Sequence, residues 1–313
     1  MKALVTGGAG FIGSHLCERL LDDGASVTAI DCFTDYYPRA IKEANIAAMR
    51  SRPGYRFVEA SIAEADLPAL LEGTTHVFHL AAQAGVRKSW GREFRIYTAL
   101  NVDATQILLE ACVGRPIERV VYASSSSVYG DEASLPMHEE LPLHPVSPYG
   151  VTKLAAEQLC HLYFVNHGVP TVSLRYFTVY GPRQRPDMGF HRFFSALLDG
   201  RPLVQYGDGQ QTRDFTFVAD AAWATQAAGV RGVPGRVYNI GGGSRVSLRQ
   251  VFDLLGRVTG REVRVDRQPV QKGDMRDTYA DTTRAQADLG FAPSVTLEEG
   301  LGAMYRWMEA NQA

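Results

Sequence analysis

The chain has 313 residues, 45% hydrophobic and 21% charged, which is enough apolar matter for a large core and too much for a disordered chain. Lysine and arginine number 32 against 34 acidic residues, a formal net charge of -2, without the basic stripe of a nucleic-acid groove. No apolar run approaches membrane-spanning length, and the first strand begins at Met1, so neither a membrane span nor a signal peptide is expected.

Met1–Val5 reads as one buried strand. Ile12–Leu21 then places Ile12, Leu16, Leu20 and Leu21 on one helical face. Between them runs Thr6–Gly13 (T-G-G-A-G-F-I-G), with Gly7, Gly10 and Gly13 at three-residue spacing. Glycine tolerates the tight turn and lets backbone N–H groups approach a pyrophosphate at a helix N-terminus. A second strand, Ser26–Ile30, ends at Asp31, where a carboxylate can accept from both hydroxyls of an adenosine ribose. Strand, glycine turn, helix, strand and terminal acid in one unit predict a dinucleotide-binding fold. A 2′-phosphate would bring roughly -1.5 to -2 charge beside Asp31. Cys32-Phe33-Thr34 supplies no arginine to neutralise it, so NAD is favoured over NADP.

Further strands are predicted at Tyr55–Glu59, Thr75–Leu80, Arg119–Ser124 and Thr171–Arg175, with helices at Glu93–Val113 and Pro148–Asn166. This alternation predicts an α/β fold: a doubly wound parallel sheet with helices on both faces. From about Phe177 the pattern loosens, and a second, smaller α/β substrate-binding domain is expected over 178–313, after a dinucleotide-binding domain over 1–177. Val237–Ile240, ahead of Gly241-Gly242-Gly243, is a strand able to return to the main sheet. Cys17, Cys32, Cys112 and Cys160 form no C-x-x-C pair and read as structural thiols of a reducing cytoplasm. No His/Asp/Glu set has metal-ligand spacing, so no metal is expected, and His79 reads as a packed core histidine.

Two segments leave strand ends with chemistry attached. Ser124–Ser127 follows the strand at Arg119, and Tyr149-x-x-x-Lys153 opens the next helix with both side chains on one face. A tyrosine of pKa about 10 must be lowered about three units, or ~4 kcal/mol, to act as a base at neutral pH. An ammonium ~4 Å away at an effective dielectric of ~20 supplies about that much. Lys153 is therefore the candidate activator of Tyr149, and Ser125 the hydroxyl that holds a substrate oxygen between them.

Thr6–Gly13, His79-Leu80-Ala81-Ala82-Gln83, Ser125 with Val128-Tyr129-Gly130, Tyr149/Lys153 and Arg175-Tyr176-Phe177 resemble the extended short-chain dehydrogenases that modify nucleotide-sugars. Arg213-Asp214-Phe215 and Tyr238-Asn239-Ile240-Gly241 continue the likeness over nearly the whole chain. The resemblance implies a Rossmann fold, a tightly held NAD, transient oxidation at the sugar C4, and a homodimer formed through the two long helices. By that match the cofactor lies against Gly7, Gly10, Phe11, Ile12, Gly13, Asp31, Phe33, Ser61, Ile62, Leu80, Ala81, Ala82, Gln83, Asn101, Ala123, Tyr149, Lys153, Tyr176 and Val179.

Related 4,6-dehydratases carry Asp-Glu directly after the catalytic hydroxyl, and UDP-xylose-forming decarboxylases carry a Glu at the second of those positions. Here they are Ser126 and Ser127, which cannot serve as carboxylate acid/base groups. Oxidation of C4, presentation of the other ketone face and reduction remain, which is 4-epimerisation. Asp31–Pro38 and Thr178–Met188 are similar to UDP-glucuronate 4-epimerases. Arg185 is a guanidinium able to grip a sugar carboxylate at two points. In the resemblance Thr178, Ser126 and Ser127 join it around that carboxylate. Arg192 and Arg213 are expected near the diphosphate, Arg87 near the substrate, and Gln205, Tyr206, Asp274 and Arg276 near the uridine. A UDP-glucose/UDP-galactose 4-epimerase, a UDP-glucuronate decarboxylase and a non-catalytic NAD-binding protein remain as alternatives.

Overall fold

A computed structural model of the protein describes residues 1–131, 133–270, 273 and 275–311. The first half alternates as its pattern requires: β1 (Lys2–Thr6), α1 (Phe11–Asp22), β2 (Ser26–Asp31), α2 (Arg39–Ala47), β3 (Tyr55–Glu59), α3 (Leu67–Leu70) and β4 (His76–His79). Then come α4 (Phe94–Tyr97), α5 (Ala104–Cys112), β5 (Arg119–Ser125), α6 (Pro148–His167) and β6 (Thr171–Tyr176). The remainder comprises β7 (Val179–Tyr180), α7 (Gly189–Leu198), β8 (Leu203–Tyr206), β9 (Thr212–Asp214), β10 (Thr216–Phe217), α8 (Val218–Arg231) and β11 (Val237–Ile240). After these run β12 (Arg245–Ser247), α9 (Leu248–Thr259), β13 (Val265–Gln268), α10 (Thr283–Leu289) and α11 (Leu297–Asn311).

Seven strands pair in parallel in the order β3-β2-β1-β4-β5-β6-β11. Continuous apolar runs explain why: every residue of β4 and β6 is buried, as a strand covered on both faces must be. The order reverses between β1 and β4, and chains that diverge there open a crevice at the carboxyl ends of the strands. On one face α1, α8 and α10 bury Leu16, Leu20, Ala224 and Leu289. On the other, α5 and α6 bury Leu108, Leu109, Ala156 and Cys160. A separate core gathers Tyr180, Phe194, Leu203, Leu255, Leu301 and Met304 from α7, α9, α11 and their neighbours. The residues beyond 178 thus divide, with α8, β11 and α10 packing on the main sheet and the rest forming the smaller body.

The long helix expected over Glu93–Val113 is interrupted. A wide turn of π type spans Thr98–Asp103 between α4 and α5. Its cause is local: the Asn101 carboxamide faces inward, donating to the Gln83 carbonyl at 3.0 Å and to Thr152 Oγ1 at 2.9 Å. Its Oδ1 accepts from the Gln83 N–H at 2.7 Å, and Thr105 Oγ1 donates to the Asn101 carbonyl at 2.6 Å.

His79 sits in the core as read. It is 2% exposed, with Nδ1 2.7 Å from Thr6 Oγ1 and Nε2 2.9 Å from Thr105 Oγ1. Burial lowers its pKa to about 3, and the Lys153 charge adds to this. The folded chain therefore refuses a proton that the unfolded chain takes up near pH 6.5, so stability is lost as pH falls below that value. Each pH unit removes about 1.4 kcal/mol at this one site. Urea titrations at pH 6.5 and 4.5 should show the drop, and His79→Gln should make it shallower.

Candidate active site

The crevice is built on three glycines and an acid. Gly7 has φ +71° and Gly13 faces the Gly7 carbonyl, where an added Cβ would lie 2.1 Å from that oxygen. The N-cap of α1 is Gly10, with no side-chain cap and no acid in the first turn, so its N-terminal dipole opens on the cleft. Asp31 closes the far side. Its carboxylate accepts from the N–H of Phe33 at 2.9 Å and of Ala9 at 3.3 Å. Burial raises its pKa, and the Lys42 charge opposes that rise.

Beside these, the cleft is lined by Phe11, Ile12, Ser61, Ile62, Leu80, Ala81, Ala82, Gln83, Ala123, Tyr149, Lys153, Tyr176 and Arg185. Three further expected cofactor neighbours are buried in the protein's own packing. Asn101 stands behind the wall, fastening Gln83 as described above. Phe33 packs on Phe57 with ring centroids 5.3 Å apart, under the Arg39 guanidinium. Val179 is buried in the sheet core. Sequence reading missed Tyr36, Tyr37 and Lys42, which also line the cleft. Lys42 is buried beside Asp31, and its Nζ donates to the Thr34 carbonyl at 2.8 Å. A lysine eleven residues past an acid carries no local signal; the helical turn of α2 brings it back.

Tyr149 and Lys153 are placed by a well-formed helix start. Ser147 caps α6, its hydroxyl accepting from the Gly150 N–H at 3.1 Å, with Pro148 at the first helical position. Tyr149 then lies in the first turn and Lys153 one turn on. Ser125, the last residue of β5, is hydrogen-bonded to Tyr149. Burial pushes the Tyr149 phenol up, while the Ser125 hydrogen bond and the Arg185 charge pull it down. Lys153 follows one helical turn after Tyr149 on α6. Burial brings the Lys153 pKa down to about 8, with Cys160 and Glu157 partly restoring the charge. Its ammonium rests over the Tyr122 ring, 4.7 Å from the centroid.

Beneath the pair lies a buried polar chain that the sequence did not announce. Ser124 Oγ donates to Glu157 Oε2 at 2.6 Å, and Arg175 grips Glu157 through Nη2 at 2.6 Å and Nε at 3.1 Å. Arg175 Nη1 donates to Tyr129 Oη at 2.9 Å, and Tyr129 Oη donates to Asn239 Oδ1 at 2.7 Å.

Arg185 reaches the cleft from the loop after β7. That loop is fixed by Arg183, which holds φ +64° while its guanidinium pairs with Glu18 on α1 at 2.7 Å. Ser126 and Ser127 form a tight turn after β5, and Thr178 lies between β6 and β7, its carbonyl accepting from the Thr216 N–H at 3.0 Å. Arg192 is in the first turn of α7. The expected uridine neighbours gather around β8 and β9. Arg87 stacks on the Tyr206 ring at 4.4 Å, and Gln205 donates to the Gly207 carbonyl at 2.9 Å. Arg213 donates to the carbonyls of Thr212 at 2.8 Å and Arg276 at 2.9 Å, while Arg276 pairs with Asp208 at 3.0 Å. Asp274 lies outside the described residues.

The chain is similar to known proteins along nearly its whole length. A protein of Bacillus subtilis (strain 168) named as an uncharacterized UDP-glucose epimerase, YtcB, is 46% identical, with 96% of each chain covered. A UDP-glucuronate 4-epimerase of Thermodesulfobacterium geofontis (strain OPF15) is 35% identical over 98% of this chain and 96% of its own. The crystal structure of a Bacillus cereus UDP-glucuronic acid 4-epimerase with UDP-glucuronic acid and NAD superimposes with a TM-score of 0.96, at 42% identity and 99% coverage of both chains. The family model matches residues 3–241, from β1 to the glycines after β11, so the glycine turn, Tyr149 and Arg185 all fall within it, and the chain belongs to the NAD dependent epimerase/dehydratase family.

Proposed function

We propose that this protein is a UDP-glucuronate 4-epimerase that forms UDP-galacturonate with NAD as a retained cofactor. The observation that carries the reading is one cleft holding the glycine turn, the Ser125–Tyr149 hydrogen bond and the Arg185 guanidinium together. The residues present fit NAD: the uncapped α1 N-terminus suits a pyrophosphate, Gly13 lets the helix pack directly on the Gly7 turn, and Asp31 faces the cleft where ribose hydroxyls would lie. When bound, NAD supplies the reversible two-electron oxidation of the sugar C4. Tyr149 Oη takes the C4 hydroxyl proton and later returns it, while Ser125 holds the same oxygen. Lys153, positive below about pH 8, favours the phenolate from the neighbouring turn. Ser126 and Ser127 offer no carboxylate for removing a C5 proton, which directs the 4-keto sugar back to reduction.

Arg185, with Thr178, Ser126 and Ser127, holds the C5 carboxylate of the substrate. The 4-keto glucuronate is a β-keto acid, which loses CO2 when its carboxylate stands perpendicular to the ketone. Pinning that group in another rotation suppresses the loss. Arg185→Ala is expected to release UDP-pentose beside the epimer, read by mass spectrometry of the products, and an unchanged product mixture would remove the clamp from the account.

The chain's likeness to the Bacillus subtilis protein named as an uncharacterized UDP-glucose epimerase favours a neutral UDP-hexose as second reading. An NMR time course with UDP-glucuronate and no added NAD separates the two: UDP-galacturonate should accumulate, and a preference for UDP-glucose in competition would overturn the first reading. A cytoplasmic homodimer belongs to the same proposal. The exposed apolar Val151, Leu162 and Val165 on α6 support an interface there, and four free cysteines support a reducing compartment. Sedimentation analysis tests the dimer.

A further inference from the structure

Arg185 already has a carboxylate partner. Its Nε and Nη2 donate to the two oxygens of Asp187, each at 3.0 Å, in a side-on two-point contact. Burial works against the Arg185 charge, and Asp187 outweighs it, holding the guanidinium above its ordinary value. The fork fixes the plane of the guanidinium and uses one edge of it. The opposite edge, Nη1 with the remaining Nη2 proton, is what the cleft can still receive.

Asp187 is itself held. Tyr36 Oη donates to Asp187 Oδ2 at 3.2 Å, across a gap of 151 residues in sequence. The Tyr36 ring has two cations over it, the Arg185 guanidinium carbon at 5.8 Å and Lys88 Nζ at 4.9 Å from its centroid. Its hydroxyl end packs on Gly85, where an added Cβ would come within 2.1 Å of Oη. Three loops therefore meet at one ring: the loop after β2, the loop after β4 and the loop that carries Arg185. None of these contacts involves Tyr149, Lys153 or Ser125.

We propose that Asp187, braced by Tyr36, is a positioning residue that aims Arg185 so that one edge only meets the substrate carboxylate. The proposal rests on the UDP-glucuronate reading above and deepens it. Its charge balance sets the chemistry. Because Asp187 offsets the positive charge of Arg185, the sugar carboxylate is held by oriented donors rather than by net attraction. Loss of the Asp187 charge leaves a guanidinium that still attracts the carboxylate but no longer dictates its rotation. Binding should then survive while control over the β-keto acid is lost.

The test uses Asp187→Asn, Asp187→Glu and Tyr36→Phe in the NAD-loaded enzyme with UDP-glucuronate, alongside wild type and Arg185→Ala. Asp187→Asn is expected to lower kcat for epimerisation about tenfold, in line with the cost of small misplacements near reacting groups. Its KM should change less than about threefold, because uniform binding is retained. The fraction of product released as UDP-pentose should rise several-fold. Tyr36→Phe, which keeps the ring, should move the same product ratio in the same direction by less. Asp187→Glu, which keeps the charge but shifts it by a methylene, should fall between Asp187→Asn and wild type. A purely structural role would lower stability and leave the epimer-to-pentose ratio untouched. If Asp187→Asn keeps the wild-type ratio while Arg185→Ala changes it, the positioning role is overturned and the functional reading stands. If wild type itself leaves UDP-glucuronate unchanged, the functional reading falls and the brace falls with it.

Discussion

Tyr149→Phe is expected to lower kcat with UDP-glucuronate by about 10²–10⁴-fold, the range for removal of a positioned acid/base group. The copurified NAD should stay at the wild-type level. The substitution keeps the ring, which packs edge-on against Tyr97 with centroids 6.3 Å apart, and removes only the oxygen that Ser125 contacts. Folding and cofactor retention should therefore persist while the proton acceptor is gone. Pre-steady-state absorbance of reduced cofactor, with quantitation of bound NAD, separates the two effects. Undiminished turnover would show that another group takes the C4 proton. The protein's own electrostatics make the experiment informative. Burial raises the Tyr149 pKa, and the Ser125 hydrogen bond and Arg185 only partly reverse it, so the phenolate needs every favourable contact in the cleft. Arg185, assigned above to the carboxylate, also favours the base. Part of the kcat loss in Arg185→Ala should therefore be pH-dependent and ease as pH rises.

The second large effect concerns stability. Glu157 and Arg175 are 2% and 3% exposed in their side chains and meet at 2.6 Å. Glu157→Ala leaves the Arg175 charge buried among Tyr129, the Glu139 carbonyl and apolar walls. The expected loss is about 3–5 kcal/mol, as for other buried pairs broken on one side. Chemical denaturation reads it directly. Glu157→Leu with Arg175→Met removes both charges together and should recover most of that loss, because the two desolvation costs disappear with the attraction. If the double variant is no more stable than Glu157→Ala, the hydrogen bonds to Ser124 and Tyr129 matter more than the charges. Glu157 sits one turn past Lys153 on α6 and ties it through Arg175 to β6, so the pair also determines how firmly the base and its neighbour are seated.

Where signals are local, the sequence was readable. A glycine turn between a strand and a helix needs no distant partner to be recognised, and the crevice opens at it. Tyr55–Glu59 and Val237–Ile240 were bounded as they fold, because short runs rich in β-branched and aromatic residues between turn residues leave little choice. The single helix expected at Glu93–Val113 was misread for a physical reason. Its apolar periodicity continues through Thr98–Asp103, and only the inward bonds of Asn101 to Gln83 and Thr152 widen the turn. Asn101, Phe33 and Val179 were placed on the cleft by likeness of position, yet each faces a packed interior here. Tyr36 and Glu157 escaped notice because their partners lie on another loop or strand, and Asp187 because nothing in its spacing from Arg185 marks the fork the two form. A tyrosine, an aspartate or a glutamate in isolation reads as surface.

The division of the chain beyond 178 has a mechanical result. Backbone leaves the large sheet after β6, returns for α8 and β11, departs for α9, comes back at α10 and leaves again for α11. Five crossings, unlike the lone tether of a two-lobed clamp, would all have to bend in concert for the lobes to swing apart. On the epimerase reading proposed above, a sugar ring that turns over beside such walls would draw its freedom from the ligand's own phosphate bonds rather than from a swing of the lobes.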